Sequence, residues 1–160
     1  MGRKKKSTFK GAVEATPTIA DAYSPGIQAQ EERHRKMLKE VQSVTGSVAL
    51  DETLQKKQLH QNANRWDYGI GFPQSDKMER VLWLEPHHAA GGETATVIKK
   101  LAWLKEWLRN EAPALDKLPR SFVWLVSSKE KNPNDRRRRT AEAEKHGLKR
   151  AYPILSLEGG

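Results

Sequence analysis

Apolar residues fall along this chain with two different periods. From residue 67 to 72 they alternate: Tyr68, Ile70 and Phe72 share one face, and Asp67, Gly69 and Gly71 share the other. That period of two predicts a strand with one nearly bare face. Such a face lets another backbone or a ligand approach closely, although glycine in a strand also marks bulges. After turn residues 73–77, Val81, Leu82, Trp83 and Leu84 form a continuous apolar run, and Phe122, Val123, Trp124, Leu125 and Val126 form a second. Runs of that length predict strands covered on both faces. Between them, Val97, Leu101, Leu104 and Leu108 recur at steps of four, three and four, which predicts a core-facing helix over residues 93–110. A helix joining two doubly covered strands is the crossover of a parallel pair. The fold class is therefore α/β, a mixed central sheet with helices expected on both faces.

The flanks are less regular. Residues 1–17 combine basic, Gly, Ser and Thr positions without periodicity and predict a flexible basic arm ahead of a single domain over residues 18–160. After Ser24, Pro25 and Gly26, a run rich in Gln, Glu, Lys and Arg continues through Met37, Leu38 and Val41 to Gly46, a pattern expected of a helix ended by glycine. Residues 47–50 predict a short strand and 51–59 a capped helical turn. Residues 135–146 predict a helix stopped by Gly147, and 152–157 a final strand at a sheet edge, because it contains Pro153.

Charge narrows the partner classes. The 160 residues carry 29 Lys plus Arg against 20 Asp plus Glu, a net +9, which makes polyanions the first partners to consider. Eleven basic groups against four acids lie between residues 117 and 150, so much of the excess sits there. Arg136, Arg137, Arg138 and Arg139, with Lys4, Lys5 and Lys6 of the arm, are the candidate phosphate contacts; a solvated helix start is the alternative for the arginine run. With no Cys, disulfides, thiolate metal sites and cysteine nucleophiles are excluded. No stretch approaches 18 apolar residues and no apolar segment follows the basic N-terminus, so a soluble cytoplasmic protein without a membrane partner is expected.

Two carboxylates are candidates for chemistry. Asp67 lies on one strand and Glu85 ends the next, across a hairpin-length connection, so the two can meet on one side of the sheet. Paired acids repel unless a cation or proton intervenes, and a hard divalent ion such as Mg²⁺ takes such oxygen ligands. His87 has the parity of Glu85 and His88 the opposite one. Glu85, Pro86, His87 and His88 read equally as a polar strand end. His60, His87 and His88 are a weaker zinc combination. Trp83 and Trp124 are expected in the core, whereas Trp103 and Trp107, an i,i+4 pair, are read as core or as a face for a protein partner.

Asn64, Arg65, Trp66, Asp67 and Tyr68, a turn, then Val81, Leu82, Trp83, Leu84, Glu85, Pro86, His87 and a helix resemble the core of the PD-(D/E)xK restriction-endonuclease-like superfamily, over about residues 27–127. The chain also resembles a group of small bacterial proteins that share an Asn-Arg-Trp-Asp-Tyr run followed by a Val-Glu-x-His pattern. The resemblance implies an αβββαβ core and Mg²⁺- or Mn²⁺-dependent hydrolysis of nucleic acid, with DNA favoured over RNA. It further implies metal ligation by Asp67, Glu85 and the carbonyl of Pro86. His87 stands where the superfamily has lysine, and an imidazole there is expected as a base or an extra ligand. Some members supply the lysine from the adjoining helix, and Lys100 fits that role better than Lys99, because it borders the apolar stripe; a surface lysine lying along that stripe is the alternative. Lys129, past the strand ending at Val126, is a further phosphate candidate. A catalytically inactive module on the same fold, binding nucleic acid or protein, is the competing expectation, and a homodimer is compatible with either.

Overall fold

A computed structural model of the chain describes residues 6–39, 43–128, 130–151 and 155–156. In chain order the elements are α1 (Phe9–Glu14), a 3₁₀ turn (Pro17–Ile19), β1 (Ser24–Pro25), α2 (Glu32–Arg35), β2 (Leu38–Lys39), β3 (Gly46–Ala49) and α3 (Leu50–Lys56). The long hairpin β4 (Tyr68–Ser75) and β5 (Met78–His87) follows, then α4 (Glu93–Glu111), α5 (Pro113–Asp116), β6 (Arg120–Val126), α6 (Pro133–Lys145), β7 (Leu148–Ala151) and β8 (Leu155–Ser156). Six strands form one mixed open sheet in the order β1-β3-β4-β5-β6-β7, and β2 pairs with β8 in a separate parallel ribbon. Neighbours from β1 to β5 are antiparallel, and β5, β6 and β7 are parallel.

The predicted crossover is present. α4 buries Val97, Leu101, Leu104 and Leu108, joined by Thr94 and Trp107, against a core containing Trp66, Trp83 and Trp124. Helices lie on both faces as expected, but unequally. Ala143 of α6 belongs to the same core as α4, because two crossovers that step the same way across a sheet with the same hand deliver their helices to one face. The opposite face, lined by Tyr68, Ile70, Phe72, Leu82, Leu84, Val123 and Leu125, is covered by Ile27, Ala29, Met37 and Leu38 from the stretch in which, among the described residues, only α2 is helical, Val41 lying outside them. The helix expected up to Gly46 is thus four residues long. Its Gln, Glu, Lys and Arg favour a helix, but it has no apolar stripe, and packing supplies most helical stability.

The arm is also corrected. Ser7 exchanges backbone hydrogen bonds with Lys77 and Glu79, the Phe9 N–H donates to Glu79 Oε1 at 2.9 Å, and Phe9, Ala12 and Val13 lie in the core. Their i, i+3, i+4 spacing is helical, but six residues are too few for a period to stand out from the basic cluster beside them. The bare face of β4 serves this packing rather than a ligand. A Cβ at Gly71 would stand 2.5 Å from the Phe9 Cβ, and one at Gly69 would stand 2.7 Å from the Trp83 ring. β7 has no apolar run to betray it because its inward Arg150 is charged; the expected strand at 152–157 is described only as β8, and residues 152–154 and 157 lie outside the described residues. Among the described residues no helix is long and apolar enough to cross a membrane.

Candidate functional site

The β4–β5 register aligns Tyr68 with Leu84, which makes Asp67 and Glu85 the next pair at the open end of the hairpin. Each residue of the Arg65–Tyr68 segment then has a task. The Arg65 guanidinium donates to Asp51 Oδ1 and the His60 carbonyl, both at 2.7 Å, and ties the segment to α3. Trp66 fills the core, Asp67 faces the helix side, and the Tyr68 hydroxyl meets His34 Nδ1 at 2.6 Å on the other.

Glu85 is fully buried. Its Oε1 accepts from the Asp67 N–H at 3.0 Å and its Oε2 from Lys100 Nζ at 2.6 Å, while that ammonium stands 3.7 Å from Asp67 Oδ1. Lys100 therefore reaches both acids from α4, as expected of the helix lysine, while Lys99 is exposed. Burial, then the Asp67 charge, push the Glu85 carboxyl well above the usual carboxylate range, against the pull of Lys100. Burial also raises Asp67, with Lys100 opposing. Burial works against the Lys100 charge, but the two carboxylates outweigh it and hold the ammonium above its ordinary pKa.

His87 keeps the parity expected of it: its Nδ1 is 3.7 Å from Glu85 Oε2, and its Nε2 is hydrogen-bonded to Glu93 Oε2. The expectation that His88 points away is corrected. The chain leaves the strand after His87, so alternation lapses, and the His88 ring stacks on that of His87 at 4.9 Å with its Nε2 3.8 Å from Glu93 Oε1. The two histidines, Asp67, Glu85 and Lys100, with Pro86, Arg33, His34 and Ser127, line a cavity of about 340 Å³ outside the carboxyl ends of β5 and β6, where open α/β sheets place ligands. Burial lowers the His34 pKa and raises that of Tyr68 to about 12, so a neutral imidazole meets an intact phenol.

Sequence reasoning missed Glu93, His34 and Arg33. In the sequence Glu93 is the first residue of a helix, and its only signal is a carboxylate one loop after two histidines. His34 and Arg33 sit in the charged run whose pattern predicts a longer helix than the chain forms. The zinc combination with His60 is not assembled, since His60 pairs with Glu111 at 2.7 Å beside Trp103.

The arginine run does not act as one surface. Four successive helical residues point around the axis, and Arg139 is taken by Glu130 at 2.7 Å. Arg136, Arg137 and Arg138 are exposed, with Arg137 on Asn134 and Arg138 on Asp135, both at 3.0 Å. Lys6 is exposed and 3.9 Å from Glu79; Lys4, Lys5 and Lys129 lie outside the described residues. Trp103 and Trp107 stack at 6.0 Å, but Trp107 is buried, so the face expected for a protein partner presents only Trp103.

No family model matches the chain, and neither a curated protein nor a solved structure does.

Proposed function

We propose that the chain is a Mg²⁺-dependent nuclease, or a nuclease-like protein that processes nucleic acid, built on a restriction-endonuclease-like core. The observation that carries the reading is Lys100, which reaches from the adjoining helix to pair with Glu85 and approach Asp67, supplying the lysine that the position of His87 lacks. The topology supports the core assignment: β3, β4 and β5 run antiparallel, and α4 then leads to β6 parallel to β5.

The donor chemistry fits a hard divalent ion. Two neighbouring carboxylates are held against burial by one ammonium, and added positive charge relieves both. Asp67, Glu85 and the Pro86 carbonyl would hold Mg²⁺, or Mn²⁺ in its place. When bound, the ion supplies Lewis-acid charge and makes its water more acidic. Hydrolysis adds a water oxygen to phosphorus and breaks the bond from phosphorus to a sugar oxygen, which takes its proton from solvent. Glu93 accepts from His87 Nε2–H, which leaves Nδ1 facing Glu85 as the base for the water's proton. Lys100 offsets charge on the phosphate. Arg33 at the cavity and the exposed Arg136, Arg137 and Arg138 favour a polyanionic substrate, with DNA placed before RNA.

The inactive-module reading rests on the same ion pair, because Lys100 already satisfies Glu85 without an ion. Incubation with single- and double-stranded DNA and RNA, in Mg²⁺, Mn²⁺ or EDTA, separates the two. The nuclease reading expects cleavage that EDTA stops and Asp67→Ala abolishes. Nucleic-acid binding with no cleavage under any condition favours the module.

A further inference from the structure

We propose that His87, His88 and Glu93 form a second cation site, separate from the Asp67 and Glu85 carboxylates, which takes Zn²⁺ or a similar late first-row transition ion. One ligand atom from each lies within 4.8 Å of the others. Two imidazole nitrogens and a carboxylate oxygen suit Zn²⁺, whereas Mg²⁺ prefers oxygen alone.

The segment is built to present these groups. Trp124 Nε1 and the Ser127 N–H donate to the His87 carbonyl at 2.8 and 3.1 Å, and the buried Ala89 donates its N–H to Ser128 Oγ at 3.0 Å. Gly91, at φ +51°, turns the chain back so that α4 begins at Glu93. Side chains of successive residues in a strand diverge, yet the two rings are stacked 14° from parallel and both approach the Glu93 carboxylate. Ligand atoms at about 2.0–2.1 Å from zinc lie roughly 3.4 Å apart, so the set closes when the His87–Glu93 hydrogen bond opens, its proton passing to solvent, and the exposed His88 ring rotates. Glu85, 3.7 Å from His87 Nδ1, is the outer carboxylate that ligating histidines usually have, and three protein ligands leave a fourth position open to the cavity.

The site shares His87 with the nuclease reading but uses the other tautomer, Nε2 on the ion and Nδ1–H toward Glu85, so zinc here would occupy the proposed base; its test measures binding alone. EDTA-stripped wild type, H88A, E93Q and D67N are titrated with Zn²⁺ by calorimetry, and Co²⁺ is followed by visible absorption. The expected result is one saturable Zn²⁺ site and Co²⁺ bands of four- or five-coordinate intensity, undisplaced by excess Mg²⁺ and unchanged in D67N. H88A and E93Q should bind more weakly by at least the roughly 100-fold that the loss of an outer partner can cost, with metal-free melting temperatures equal to wild type. No saturable Zn²⁺ binding in wild type, or equal binding in H88A, overturns the proposal.

Discussion

Two glutamate side chains are buried beside cations, Glu85 on β5 and Glu130 in the loop between β6 and α6, and their surroundings differ in charge balance. Glu130, 2% exposed, is held by Arg139 at 2.7 Å and by Arg150, which also donates to Thr140 Oγ1 at 2.8 Å and lies 4.5 Å from the Trp124 ring centre. One anion there has two cations, each a guanidinium that hydrogen-bonds one of its oxygens. Glu85, 0% exposed, shares with Asp67 one ammonium among the described residues, that of Lys100, at the wall of a cavity. Burial of a carboxylate alone therefore marks nothing. An acid over-compensated by arginines ties α6 to β7, whereas two acids beside Lys100 at an open cavity keep negative charge that an added cation would relieve.

The largest difference is expected on removing one cation from each cluster. Lys100→Met should lower Mg²⁺-dependent turnover by roughly 10²–10³, the scale of losing one group that stabilises transition-state charge, measured as single-turnover cleavage. Arg150→Met should leave the chemistry intact and instead cost about 1–3 kcal/mol in urea unfolding, because Glu130 keeps Arg139 but loses one charge-assisted hydrogen bond. Equal effects of both variants on turnover would erase the distinction. Next comes His87→Ala, expected to slow turnover about 100-fold for loss of an acid-base group, while His87→Lys retains or raises it by restoring a permanent cation.

A smaller effect is readable in stability against pH. Asp67 and Glu85 titrate above their usual range in the folded chain, so above about pH 4 the native state keeps protons that the unfolded chain has released. Their contribution is complete below that pH and falls as pH rises through the raised folded values, by up to about 1.4 kcal/mol per pH unit for each proton. Asp67→Asn should flatten this decline in urea titrations, and an unchanged slope would mean that Asp67 is not strained by burial. The smallest effect concerns the arginines outside the Glu130 cluster. Replacing Arg136, Arg137 and Arg138 by Ala should reduce the salt dependence of duplex binding by up to about 0.9 in log-log slope for each phosphate no longer neutralised; an unchanged slope assigns them to solubility.

The site was more legible in the sequence than the ground around it. Alternation from Asp67 to Phe72 and the apolar runs at Val81 and Phe122 sufficed to bring Asp67 and Glu85 together, because regular elements propagate side-chain direction; the stripe from Val97 to Leu108 set Lys100 at its border, and the family resemblance supplied the reason to look for a lysine there. Parity failed at His88, one residue past the strand, where no period survives. Arg150 hid β7, since its partner Glu130 lies 20 residues away in sequence. Phe9 looked like part of an arm because what buries it, a glycine face on β4, lies far downstream. In each case the missing information was tertiary, a partner that the local pattern does not announce.

The central claim is that Asp67 and Glu85 form a site for a hard cation, and a Mg²⁺ titration of the melting temperature tests it most directly. Binding to the native state alone should raise Tm with concentration, about 2.7 kcal/mol of stabilisation at a hundredfold excess over the dissociation constant. The rise should be present in wild type and in Glu93→Gln and absent in Asp67→Asn. A wild-type Tm that ignores Mg²⁺, or a rise that persists in Asp67→Asn, would contradict it.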